Sequence, residues 1–112
     1  MSNALFVVAS TAGPNRDRSQ GTRRQPFWDD HATFIDRLVA EGRIVLAGPL
    51  EDEGGALLVV TADDEPAVRA MLAHDPWYVH GVLTLVSVKR WRLFIDERVP
   101  ADADDPQPPN QA

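Results

Sequence analysis

The sequence predicts an α+β fold of ferredoxin-like βαββαβ order with an antiparallel sheet, and three observations carry that prediction. Short apolar runs, Ala4 to Ala9, Ile44 to Ala47, Ala56 to Val60 and the long Val82 to Ile95, read as four strands. Two segments between them repeat apolar residues at helical spacing. The resulting order, β-α-β then β-α-β, is that of a split βαβ sandwich. It hints at a duplicated half, although no sequence repeat supports one.

Each element has local reasons. Ser10 to Gln25 is polar, is broken by Gly13-Pro14 and Gly21, and reads as a loop. Pro26 is expected to open the first helix, where its missing N–H costs nothing. Asp29 and Asp30 then suit the positive end of the helix dipole. Phe27, His31, Phe34, Ile35 and Leu38 share one face, and Gly42 closes the helix. Gly48-Pro49 is expected to stop the second strand. The acidic, glycine-containing turn Glu51 to Gly55 joins it to the third as a hairpin. Asp63 or Asp64 caps the second helix, Glu65 and Pro66 fill its first turn, and Val68, Met71 and Leu72 form its apolar face. Asp75 precedes Pro76, which disfavours the helical region at Asp75 and ends the helix.

Right-handed crossovers place both helices on one face of the sheet. The strands nevertheless read as continuous apolar runs, the pattern of a sheet covered on both sides. In the last strand Leu83, Leu85 and Trp91 are expected on one face, and Val82, Val86, Val88 and Phe94 on the other. The uncovered face is best satisfied by a second copy, which predicts a homodimer packed sheet on sheet. Residues 1–96 form the expected domain. Residues 97–112, rich in Pro, Asp, Gln and Asn, read as a disordered tail.

Composition narrows function. The chain has 112 residues, 44% of them hydrophobic, which suits one domain with a core. A net charge of −6 argues against nucleic-acid binding. No run approaches the roughly 18 apolar residues of a membrane helix. No signal peptide is read at the N-terminus, and no cysteine is present, which fits a cytoplasmic protein. No Gly-rich nucleotide loop, G-x-S-x-G elbow or metal-ligating His spacing occurs, so neither a metal nor a cofactor is expected. Four of the eleven basic residues, Arg16, Arg18, Arg23 and Arg24, fall between positions 16 and 24. They form either a solvated loop or a mobile cationic lid over an anionic ligand, with Arg23 and Arg24, nearest the helix, the better candidates for ligand contact.

Two islands, Trp28-Asp29-Asp30-His31 and His74-Asp75-Pro76-Trp77, carry the chemistry. Taken alone, His31 on an apolar helix face is most simply a core histidine. Asp75 alone is most simply a turn former. His74 and His80 read as surface residues. If the fold joins His31 to Asp75, the carboxylate fixes the imidazole tautomer and raises its basicity, giving a general base or acid. Trp28, Trp77 and Trp91 could line an aromatic pocket or serve as core.

Four segments in this order, Trp28-Asp29-Asp30-His31-x-x-Phe34, Glu41-Gly42-x5-Gly48-Pro49-Leu50, His74-Asp75-Pro76-Trp77 and Val88-Lys89-Arg90-Trp91, make the chain resemble the YCII-related (YciI-like) domain proteins from about Leu5 to Ile95. The resemblance implies a ferredoxin-like fold that dimerises as an α+β barrel, with a site built around a His and an Asp, here His31 and Asp75. Arg23, Arg24, Trp28, Gly48, Pro49 and Trp77 are the accompanying substrate-binding candidates. Most members of the family have no established activity. One branch is associated with a dehydrochlorinase acting on a chlorinated hydroxyquinol, and muconolactone-isomerase-like proteins share the dimeric barrel. The Arg-rich loop and the acidic tail depart from the family pattern. Three classes of function follow: a cofactor-free lyase, isomerase or dehydrochlorinase-like enzyme on a small anionic or aromatic molecule, a binding or sensing module without turnover, or a structural dimer with a vestigial pocket.

Overall fold

A computed structural model describes residues 4–51 and 54–98. The strands are β1 (Ala4–Ala12), β2 (Ile44–Pro49), β3 (Ala56–Ala62) and β4 (Leu83–Trp91). The helices are α1 (Trp28–Ala40), α2 (Glu65–Leu72) and a short α3 (Pro76–Val79), and Thr22–Arg24 forms one 3₁₀ turn. The sheet is antiparallel, in the order β2-β3-β1-β4. This is the ferredoxin-like arrangement that the element order implies.

Register decides which residues face the helices. In β1, Phe6, Val8 and Ser10 pair with Val60, Leu58 and Ala56 of β3. Paired residues project to the same face. Phe6, Val8, Leu58 and Val60 pack with Phe34 and Leu38 of α1 and with Val68 and Leu72 of α2 in one buried cluster. Both helices therefore cover one face, as expected. Leu5, Val7, Leu46, Leu57 and Val59 lie on the other face, which carries no helix.

Several boundaries differ from the sequence reading. β1 continues to Ala12 because Ser10, Thr11 and Ala12 still find partners in Leu85, Thr84 and Leu83. β2 runs through Gly48 and Pro49 because both pair with β3. β3 likewise extends to Ala62, opposite Ala4. β4 ends at Trp91, short of Ile95, and its pairing slips between Ala9 and Ser10 of β1. That slip changes parity. Val88 joins Leu83 and Leu85 on the helix face, opposite Val8, and Trp91 falls on the open face opposite Leu5. The expected grouping of Leu83, Leu85 and Trp91 is corrected accordingly.

Pro26 does not open α1. The helix begins at Trp28, and its N-cap is Phe27 in the left-handed region with φ 64°. For a residue with a Cβ this costs on the order of 1–2 kcal/mol. Tertiary contacts hold it there: the Phe27 ring stacks on His80 at 3.9 Å, and Trp77 Nε1 donates to the Pro26 carbonyl at 2.8 Å. The Asp64 side chain caps α2 by accepting from Ala67 N at 2.9 Å. Pro76 ends α2 as expected but also starts α3, with Asp75 as its N-cap. Residues 99–112 of the expected tail, and Asp52 and Glu53 of the acidic turn, lie outside the described residues.

Candidate functional site

α1 and α3 meet where their N-terminal ends converge, and this brings His31 to Asp75. His31 lies in the first turn of α1. Its backbone N–H donates to the Phe27 carbonyl at 2.9 Å, so the cap fixes its position. Asp75 is held by the turn it caps: its Oδ1 accepts from Trp77 N at 2.9 Å, and its own N–H donates to Leu72 O at 2.9 Å. The His31 Nδ1 stands 2.8 Å from Asp75 Oδ1 and 3.1 Å from Oδ2.

An ionised carboxylate only accepts hydrogen bonds, so Nδ1 of His31 carries the proton toward Asp75 and Nε2 is left with a lone pair in the neutral ring. Asp75 is almost wholly buried, at 1% exposure, while the His31 side chain keeps 13%. The imidazole stacks on the Trp77 indole with centroids 3.7 Å apart and planes 7° from parallel. Trp28 leans on both rings, at 5.8 Å from His31 and 5.7 Å from Trp77. Three contacts thus orient His31: a carboxylate at one nitrogen, an indole against its face and a second indole beside it.

These residues line a cavity of about 230 Å³ on the helix side of the sheet. This is smaller than the roughly 300–1,000 Å³ of pockets that take drug-sized ligands. Ile35, Leu58 and Leu83 make its walls apolar. Of the predicted site residues, His31, Asp75, Trp28, Trp77, Gly48 and Pro49 all line it. Arg23 and Arg24 do not. They sit on the 3₁₀ turn, where Thr22 lines the cavity and the next two side chains are carried to the exposed side. There they border a separate depression with Asp29 and Asp30. Trp91 also lies elsewhere, beside Leu5 and Leu46.

The cavity contains two further groups: Arg16, which the sequence places in the arginine cluster but behind Arg23 and Arg24, and Tyr78, which it does not single out. Arg16 lines it from the loop after β1. Tyr78, on α3, lines it from below and shares a hydrogen bond with the hydroxyl of buried Ser10. Burial pushes the Tyr78 phenol above its ordinary range, the Ser10 hydrogen bond opposes this, and the Asp75 charge adds to the rise. A signal for Tyr78 was present in its place three residues after Asp75, but it could be used only once α3 was recognised. No sequence signal ranks Arg16 above Arg23, because rank depends on how the loop folds.

The loop folds around Gln25. Its side chain is buried and bonds four backbone groups: it accepts from Asp17 N at 2.8 Å and donates to the carbonyls of Asp17, Gln20 and Gly21 at 2.8, 2.9 and 3.2 Å. The stretch is thus an exposed loop, as a solvated segment requires, that is also bonded internally through Gln25. Among the described residues no group of three or more His, Cys, Asp or Glu is arranged to hold a metal, and no helix is long and apolar enough to cross a membrane.

Comparison with known proteins agrees with this architecture. The family model of the YCII-related domain matches residues 4–92, which include every strand and helix among the described residues and both members of the His31–Asp75 pair. The chain belongs to the YCII-related domain family. It is also 35% identical over 63 residues to "Uncharacterized protein YjpA" of Bacillus subtilis (strain 168), a match covering 56% of this chain and 73% of that protein. In this YCII-related protein the loop carrying Arg16 lies within the matched segment, and Tyr78 directly follows the His-Asp-Pro-Trp island.

Proposed function

We propose that this YCII-related protein is a cofactor-free acid–base catalyst that moves a proton on a small anionic or aromatic molecule bound beside His31. The observation that carries this reading is the His31 Nδ1 to Asp75 Oδ1 hydrogen bond of 2.8 Å at the wall of a small, mostly apolar cavity. A core histidine needs only one such bond, and the pair alone does not imply chemistry. Placed at a cavity walled by apolar side chains and two indoles, the pair has the parts of a general base.

In this mechanism the free Nε2 of neutral His31 accepts a proton from an acidic C–H or O–H of the ligand. Asp75 stabilises the imidazolium and keeps the tautomer fixed. The proton then returns to a different atom, which isomerises the ligand. Alternatively, a leaving group departs with its electron pair as the new double bond forms, which is a lyase or dehydrochlorinase step. The Tyr78 phenol, kept protonated by burial, would donate a hydrogen bond to an oxygen that gains charge on the way, with the Ser10 hydroxyl donating to it.

The test is proton exchange, which does not require the physiological substrate. Small oxo acids, phenols and unsaturated acids are incubated with the protein in D₂O, and deuterium incorporation is followed by proton NMR. At least one compound should exchange faster than in buffer, and His31→Gln should reduce that rate by about 10²–10⁴-fold. Asp75→Asn should reduce it as well, through the misplaced tautomer. Exchange that survives His31→Gln, or no exchange above buffer with any compound, would overturn the catalytic reading and leave a binding or sensing module that uses the same cavity. We also infer that the protein works as a homodimer joined through the open sheet face.

A further inference from the structure

We propose that Arg16 is the specificity residue of the His31 cavity and that it selects a small planar carboxylate, whose acid group sits at the cavity mouth while the rest of the molecule lies against Trp28 and Trp77. The inference rests on the acid–base reading for its chemistry but names a different residue and a ligand class.

Position is the first argument. Arg16 lines both the His31 cavity and the open depression next to it, and its Nε lies beside Gly54, which also lines both. Charge is the second. Among the described residues the other ionic groups lining the cavity are His31 and Asp75, Asp75 already accepts from His31 and from Trp77 N, and Arg18 and Glu51 line only the adjoining depression. Arg16 is therefore the fixed cation of the cavity. A guanidinium offers paired donors in a planar fork that fits a carboxylate. One cation suits a monoanion better than a phosphate dianion.

Preorganisation is the third argument. Both neighbours of Arg16 are anchored. Asn15 N donates to Gly81 O at 2.8 Å, and Asn15 Nδ2 donates to His80 O at 2.9 Å. Asp17 N is held by the buried Gln25 side chain. The Arg16 N–H itself donates to Gly13 O at 3.2 Å. The side chain then lies over Gly54, where an added Cβ would come within 2.9 Å of Arg16 Nε on a backbone with φ +71°. Gly54 is thus the notch in which the guanidinium rests.

The test uses benzoate and sorbate as probes, with benzamide as the neutral match for benzoate, measured by calorimetry and by tryptophan fluorescence. Benzoate should bind saturably and more tightly than benzamide. Arg16→Gln should weaken benzoate at least tenfold and leave benzamide unchanged, and Arg16→Lys should recover part of the loss. Arg24→Gln, outside the cavity, should change neither. Gly54→Ala should weaken benzoate by crowding Arg16. Thermal melts of each variant separate lost binding from lost folding, and Arg16→Lys keeps the charge if Arg16→Gln folds poorly. Equal benzoate affinity in the parent and Arg16→Gln, benzamide as tight as benzoate, or no saturable binding of either acid would overturn the proposal. Arg16-dependent selectivity without any proton exchange would leave it standing and remove the catalytic reading alone.

Discussion

At the scale of single residues, the buried phenol of Tyr78 gives a measurable handle on the site. It is the chain's single tyrosine, so phenolate absorbance reports on this group and no other. Burial is the largest influence and raises its pKa. A phenol whose folded value lies above its unfolded value of about 10 holds its proton more tightly in the native state. The stability this contributes is complete below about pH 10 and is lost as pH rises through the folded value. Phenolate absorbance in the folded protein should therefore appear only above pH 10, alongside alkaline loss of stability. Two variants should move the midpoint in opposite directions. Ser10→Ala removes a hydrogen bond that favours the phenolate and should raise it further, and Asp75→Asn removes a repelling charge and should lower it. A midpoint at or below 10 while the circular dichroism is still native would contradict the burial argument. The His31–Asp75 pair itself could be read from the sequence only as two islands beside helices. Their separation of 44 positions is closed by the sheet topology, which no local pattern encodes.

At the scale of elements, the sequence was most legible where a period repeats and least legible where side chains bond to backbone. α1 and α2 follow from their apolar spacing, and the α2 cap is legible as one of the pair Asp63 and Asp64 before Glu65 and Pro66, of which the structure uses Asp64. α3 was hidden because Asp75-Pro76 serves twice, as the end of one helix and the N-cap and first residue of the next. The parity of β4 was misread because a slip in pairing leaves no mark in composition. The hub of the loop before α1 went unread for a related reason. A glutamine in a polar run looks solvated, yet Gln25 is the hub of four hydrogen bonds. Gln25→Ala should leave those backbone groups, which belong to exposed residues, to water and cost about 0.5–1.5 kcal/mol. Amide exchange at Asp17 and through the 3₁₀ turn should accelerate before that of β1 and β3. A change in unfolding free energy within about 0.5 kcal/mol of the parent, with unaltered exchange at Asp17, would show that water replaces the side chain at no cost.

At the scale of the whole molecule, a sheet with helices on one face leaves its other face to be covered or wetted. The open face presents Leu5, Val7, Leu46, Leu57, Val59 and Trp91 in adjacent register, with Lys89 opposite Val7 and with Asp96, Glu97 and Arg98 beside the Leu5 end as charged neighbours. Leu46, Leu57 and Trp91 remain 40–51% exposed, and Val86 reaches 60%. Continuous apolar patches of this kind are rare on monomers and mark association surfaces. In the homodimer we infer, each chain would offer the same patch to the other. The reading from the sequence reached the same conclusion from the continuous apolar runs alone, since a strand exposed to water would alternate. Sedimentation at micromolar concentration should therefore give about twice the chain mass of 12.4 kDa. Val59→Lys places a charge at the centre of the patch without touching the helix-side core, because Val59 projects away from α1 and α2. The variant should sediment as a folded monomer with native circular dichroism. A parent protein that sediments as a compact monomer and binds no hydrophobic dye would show that the open face is tolerated in water, and the dimer would have to be abandoned.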